Sequence, residues 1–172
     1  MNNLYNEAGD NTSATIKVIG IGQSMRGDDG VGLAAVRWWN ESCQGNISRP
    51  YLKVELAESP GIDLLDLLEG ARIAVVVDAM RSGASPGTVC VLTENQLDAF
   101  TGDFASAHGW GIAETLSLGR ELMPFAMPKT LVLIGVEADH LDVGAGLSPS
   151  VETALPEVGR LIELQVTSLI GV

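Results

Sequence analysis

At 172 residues and 46% hydrophobic content, the chain is long enough for one core that buries roughly two thirds of its unfolded surface. Its net charge of −12, with ten basic residues scattered along the sequence, excludes the electrostatic footprint of a binder of nucleic acid or of an anionic membrane surface. Twenty glycines and only 5% aromatics point to tight turns and an aliphatic core, the habit of buried parallel sheets.

Residues 1–14 are polar, carry Glu7 and Asp10, and lack the positive start and apolar stretch of a secretion signal. They are expected to form a flexible segment ahead of a single domain spanning residues 15–172, in a cytoplasmic protein. Thr15 to Gly22 reads as a buried strand, and Gly30 to Asn40 as a helix packed through Val31, Ala34, Ala35, Trp38 and Trp39. Tyr51 to Ala57 alternates as a strand with Leu52, Val54 and Leu56 on one side. Ser59-Pro60-Gly61 then turns the chain into a short amphipathic helix, Ile62 to Leu68, closed by Gly70. Arg72 to Val77 is apolar on both faces, as in a strand covered on each side, and Asp78 stands at its carboxyl end.

Thr88 to Leu92 follows a turn, Ser82 to Gly87, that is too short for a helical crossover, so this strand is expected to be antiparallel. Gln96 to Phe100 reads as a short helical turn and Thr101 to Gly111 as the longest loop, a natural binding segment holding His108 and Trp110, the latter an anchor for a partner. Ile112 to Leu122 is a helix and Thr130 to Val136 the last buried strand. Ser148-Pro149 supply an N-cap and first position for a C-terminal helix that Pro156 kinks or restarts, with Val158, Leu161, Ile162 and Leu169 facing inward. No apolar run approaches the roughly 18 residues that span a bilayer. Cys43 and Cys90 lack C-x-x-C partners and read as reduced thiols. The alternation of elements predicts an α/β fold: three layers, a mostly parallel twisted sheet with helices on both faces, and one antiparallel strand.

A loop between first strand and first helix ordinarily cradles phosphate with backbone N–H groups. Here the run from Val18 to Gly32 places Asp28 and Asp29 in that loop, an anionic mouth suited to a metal cation or a basic peptide. One of the two aspartates is expected to cap the helix; the other projects, with Gly27, Gly30 and Gly32 permitting close approach of a ligand. Asp29 and Asp78 follow the carboxyl ends of different strands, which share an edge in an open α/β sheet. The ordinary use of Asp78 is to cap the next turn or accept backbone amides. His108, in a polar loop, completes a set of two carboxylates and one imidazole suited to Zn²⁺, Ni²⁺, Mn²⁺ or Fe²⁺ with open positions. Asp139 and His140 also follow a strand end, where an exposed loop pair is the simpler reading. No G-x-S-x-G elbow appears and neither Cys has a histidine partner in sequence, so a nucleophilic mechanism lacks support.

With these residues in view, the chain resembles the maturation endopeptidases of nickel–iron hydrogenases. The resemblance runs from Ile16 to Ile170 and is carried by Gly20-Ile21-Gly22 leading to Asp28-Asp29-Gly30-Val31-Gly32, by Val75-Val76-Val77-Asp78-Ala79, Pro86-Gly87-Thr88 and His108-Gly109, and by Leu133-Ile134-Gly135-Val136 and Gly146-Leu147-Ser148-Pro149-Ser150-Val151. It implies a cytoplasmic protease that removes a short C-terminal extension from the hydrogenase large-subunit precursor after nickel insertion. The residues implied to contact metal are Asp29, where many relatives have Glu, with Asp78 and His108; Asp28 is then the cap or a supporting group. The nickel is implied to be carried by the substrate, and no organic cofactor is expected. The precursor is the implied partner, with no nucleic acid or membrane, and a monomer is the default. The chain departs from the family pattern at Gln23-Ser24, where Asn is common, and at Glu58-Ser59-Pro60-Gly61, where a glycine–threonine turn is frequent. Two other readings use the same residues: a receiver-like phosphoacceptor domain with Asp78 as acceptor, and a non-catalytic chaperone that binds a metallated partner.

Overall fold

The computed structural model describes residues 15–43, 49–99 and 112–170. The flexible segment expected at residues 1–14, the Thr101 to Gly111 loop with His108 and Trp110, the end of the helical turn at Phe100, and the side chains of Cys43 and Leu169 lie outside what is described.

Five strands form one sheet: β1 (Ile16–Gly22), β2 (Leu52–Glu58), β3 (Ile73–Met80), β4 (Val89–Thr93) and β5 (Thr130–Glu137), in the order β2-β1-β3-β5-β4. β1 pairs in parallel with β2 and β3, β3 pairs in parallel with β5, and β4 runs antiparallel to β5. The short turn before β4 has the consequence expected of it, since a parallel return needs a crossover of a dozen residues or more. β4 thereby reaches the far edge and leaves β5 beside β3. This order differs from the parallel 2-1-3-4-5 arrangement of flavodoxin-like sheets, which removes the structural basis for the receiver reading.

The helices are α1 (Val31–Cys43), α2 (Leu64–Leu68), α3 (Glu94–Ala99), α4 (Ile112–Leu122) and α5 (Pro149–Ile170). They divide the core into two layers. On one face Val31, Ala35, Val36 and Trp39 of α1 and Val151, Val158, Ile162 and Val166 of α5 cover Ile16, Val18, Val75 and Val77. On the other, Leu64, Leu65 and Leu68 of α2, Leu97 of α3 and Leu116 of α4 cover Ile19, Ile21, Ala74, Val76 and Leu133. Successive strand residues point to opposite faces, so strands buried on both sides are largely apolar, and β1 and β3 are so except at Lys17 and Asp78.

Four local expectations are corrected. β3 continues to Met80 because β5 pairs with it through Met80↔Glu137, so Asp78 lies inside the strand rather than beyond it. α5 runs unbroken through Pro156 and does not restart there. Trp39 is buried, but Trp38 is 38% exposed and rests on Gly159, where a Cβ would meet its ring. Leu56 is 40% exposed, since it lies near the end of an edge strand, whereas Leu52 and Val54 pack onto the α1/α5 side.

Candidate active site

β1 leads through α1 on one face to β2, and β2 leads through α2 on the other face to β3, which lies on the opposite side of β1. The carboxyl ends of β1 and β3 therefore flank the point where the winding reverses, the crevice where open α/β sheets bind ligands. Asp29 and Asp78 are the acidic residues brought to this place.

Both Asp28 and Asp29 sit in a 3-10 turn, Gly27–Gly30, which feeds directly into α1 and is buried at all four residues. Neither aspartate is the N-cap of that turn; Arg26 occupies the position and makes no side-chain capping bond. The capping expectation therefore fails, and the reason is long-range. Asp28, fully buried, accepts the backbone N–H of Ser148 on Oδ1 at 2.6 Å, and those of Asp139 at 2.8 Å and His140 at 3.2 Å on Oδ2. Its own N–H donates to the His140 carbonyl at 3.0 Å. Burial acts to raise the Asp28 pKa, but the donors from Ser148, Asp139 and His140 outweigh it and hold the carboxyl below its ordinary range. Asp28 is thus a staple between the β1–α1 and β5–α5 loops.

Asp29 is 2% exposed. It is placed by close backbone packing: a Cβ on Gly22 would come within 1.9 Å of the Asp29 carbonyl oxygen, and one on Gly32 within 2.2 Å of the Val77 carbonyl oxygen. Only glycine allows these approaches, which bring the turn bearing Asp29 against the end of β3 one residue before Asp78. Asp78 is 5% exposed and accepts the N–H of Ala79 on Oδ1 at 2.9 Å, so part of its ordinary use is met. By strand alternation Asp78 belongs with Val76 and Met80 to the face covered by α2, α3 and α4.

His108 falls outside the described residues, and among those described no three His, Cys, Asp or Glu side chains stand close enough to hold a metal ion. His140 and Asp139 do reach this edge, as backbone donors to Asp28. His140 is half-buried rather than an exposed loop residue, with its Nδ1 2.7 Å from where a Cβ on Gly27 would be. Ser148 occupies the expected position ahead of α5, its carbonyl accepting the Glu152 N–H at 2.8 Å, but its hydroxyl makes no capping bond among the described residues. The thiol of Cys90 lies 3.1 Å from the Met80 sulfur, and burial pushes its pKa up, aided by the charge of Glu137 and opposed by a bond with the Gly135 backbone. A thiol held protonated is a poor nucleophile.

Glu137, 3% exposed, was not singled out from the sequence. It accepts the Ser82 N–H on both oxygens at 3.0 and 2.9 Å, the Ser82 hydroxyl at 2.8 Å and the Gly83 N–H at 2.9 Å, fixing the loop that leaves β3. An acidic residue closing an otherwise apolar strand was the available signal.

Residues 49–165 match the family model HycI, hydrogenase maturation protease. That match covers more than half of the sequence. The chain belongs to the hydrogenase maturation protease family. It is 33% identical over 157 residues to the hydrogenase expression/formation protein HupD of Thiocapsa roseopersicina, covering 86% of this chain and 66% of that relative, just under two thirds of its length. It is 29% identical to the hydrogenase 2 maturation protease of Escherichia coli, covering 81% of this chain and 83% of that one. The solved structure of the hydrogenase maturating endopeptidase HybD from Escherichia coli superposes with a TM-score of 0.77 at 26% identity, covering 90% of this chain and 93% of that chain. The mixed sheet is thus the family's α/β architecture, and as a member of the hydrogenase maturation proteases the protein is a hydrolase, an endopeptidase. Among the described residues no helix is long and apolar enough to cross a membrane.

Proposed function

We propose that the protein removes a short C-terminal extension from a nickel-loaded hydrogenase large-subunit precursor, reading the nickel that the substrate carries. The observation that carries this reading is the pair of buried carboxylates, Asp29 and Asp78, at the winding reversal of a hydrogenase maturation protease. Two carboxylates in a crevice of a chain with net charge −12 favour a cation and disfavour phosphate. His108 follows α3 and precedes α4 in the chain, the helices covering the face to which Asp78 belongs, so a contribution from that segment is topologically direct.

Nickel held by the precursor gains Asp29, Asp78 and His108 as transient ligands, which places the scissile peptide against the sheet edge. A precursor without nickel offers only peptide contacts, so binding distinguishes the two maturation states. Hydrolysis proceeds either by polarisation of the carbonyl at the metal or by a carboxylate acting as general base on water. The Asp28 staple supports the turn and stays outside the chemistry.

Mass spectrometry of a nickel-loaded precursor after incubation tests this reading. Loss of a C-terminal peptide is expected with the wild type and not with Asp29→Ala or His108→Ala. Cleavage of metal-free precursor at the full rate removes the nickel-reading step. An intact, nickel-loaded cognate precursor bound to the protein returns the non-catalytic chaperone reading.

A further inference from the structure

Two segments far apart in the chain, Gln23-Ser24 after β1 and Glu58-Ser59 at the end of β2, are bonded to each other. Gln23 Nε2 donates to Ser59 Oγ at 2.5 Å, Ser24 Oγ donates to Glu58 Oε1 at 2.7 Å, and the Ser59 N–H donates to the Gly22 carbonyl at 3.1 Å. These bonds extend the β1–β2 register, which ends at Gly22↔Glu58. Ser59 makes them from a left-handed backbone with φ 48°, a conformation that costs a residue with a side chain. Among the described residues it is the one non-glycine with positive φ.

The bonded residues lie against the turn that carries Asp29. Gly22 rests on the Asp29 carbonyl, and a Cβ on Gly30 would stand 3.3 Å from both the Gln23 carbonyl oxygen and the Ser24 Cα. A shift of residues 22–24 therefore moves the turn, because no space exists to absorb it. The opposite flank of the turn is fixed by Asp28 to Asp139, His140 and Ser148.

We infer that Gln23, Ser24, Glu58 and Ser59 are positioning residues, a clamp that sets where the Asp29 carboxylate meets the substrate. The inference rests on the reading of Asp29 given above. It makes the two segments one unit, so that loss of either half of the Gln23–Ser59 bond has the same catalytic effect.

Ser59→Gly separates positioning from a merely structural role. Glycine adopts φ 48° without strain, so the melting temperature holds or rises, while loss of the hydroxyl lowers kcat on nickel-loaded precursor by roughly tenfold, as small displacements of a reacting group do. Gln23→Ala gives the same loss, and the double variant loses no more than either single. Amide hydrogen exchange over residues 22–30, measured without substrate, is faster in Ser59→Gly and Gln23→Ala than in the wild type. Wild-type kcat in both single variants, or losses that multiply in the double variant, overturns the clamp. Asp29→Ala is assayed alongside. Full activity there defeats the reading of Asp29 instead, and unchanged exchange over residues 22–30 then overturns the clamp independently.

Discussion

Gly32 and Val77 meet backbone to backbone: a Cβ on Gly32 would stand 2.2 Å from the Val77 carbonyl oxygen, and equally close to that of Ile21. The start of α1 is thereby seated on two neighbouring strands at once. Both obstructing atoms are main-chain oxygens inside a paired sheet and cannot move aside. Gly32→Ala is therefore expected to destabilise the fold by about 3 kcal/mol or more, by the logic of overpacking. Urea unfolding of the variant measures this, and a change within about 0.5 kcal/mol of wild type would contradict the seating.

Asp28→Asn retains one acceptor where two carboxylate oxygens now take three backbone N–H groups, and sets an amide against donors. The expected loss is about 2–4 kcal/mol. The wild type should also show an acid-side dependence. Because the folded pKa lies below the ordinary 3.8, the stabilisation is complete above about pH 4 and is lost as pH falls through the lowered value. Chemical denaturation at a series of pH values should show this slope in the wild type and a shallower one in Asp28→Asn. Parallel slopes would assign the acid sensitivity to other groups.

Glu137→Gln should loosen the loop after β3 without dissolving the sheet. Four hydrogen bonds from Ser82 and Gly83 converge on the Glu137 carboxylate, and an amide can accept on only one of its two ends. Arg81 is exposed beside this loop, so trypsin cleavage after Arg81 should accelerate in the variant. A rate equal to wild type would mean that the loop is held by other contacts.

Asp78→Asn is the cleanest probe of the chemistry. An amide oxygen can keep the bond from the Ala79 N–H, so the melting temperature should shift by no more than about 4 °C, the effect of roughly 1 kcal/mol in a domain of this size. Cleavage of the nickel-loaded precursor should fall by about two to three orders of magnitude, as when one charge-stabilising group is removed from an active site. A fall in stability equal to that of Asp28→Asn, with activity retained, would make Asp78 a structural carboxylate.

The frame of this molecule was legible because its signals are local. The apolar run before Asp78 gave a central strand, the brief turn after Ser82 gave the antiparallel β4, and Pro149 opened α5 as its fixed φ predisposes it to do. Of the two uses open to Asp28, cap or supporting group, the sequence could not choose, for the opposite reason. Its partners lie 111, 112 and 120 positions away, and a sequence offers no sign that a carboxylate in a helix-leading turn will be claimed by a distant loop. Leu56 matched the strand alternation but sits near the end of an edge strand, where alternation no longer reports cover. Gln23-Ser24 and Glu58-Ser59 stand apart in the sequence; only the β1–β2 register shows them as one contact.

The Asp28 staple has a bearing on how the molecule comes into being. Synthesis proceeds from the amino terminus, and Asp28 emerges from the ribosome more than a hundred residues before Ser148. Until the segment from Asp139 to Ser148 has been made, that carboxylate has none of its three amide donors and remains in water, where it belongs energetically. The acidic turn is drawn into the interior only as β5 and α5 settle. A nascent chain therefore carries this turn open and unfinished for most of its translation, and the segment that supplies the three amides closes it.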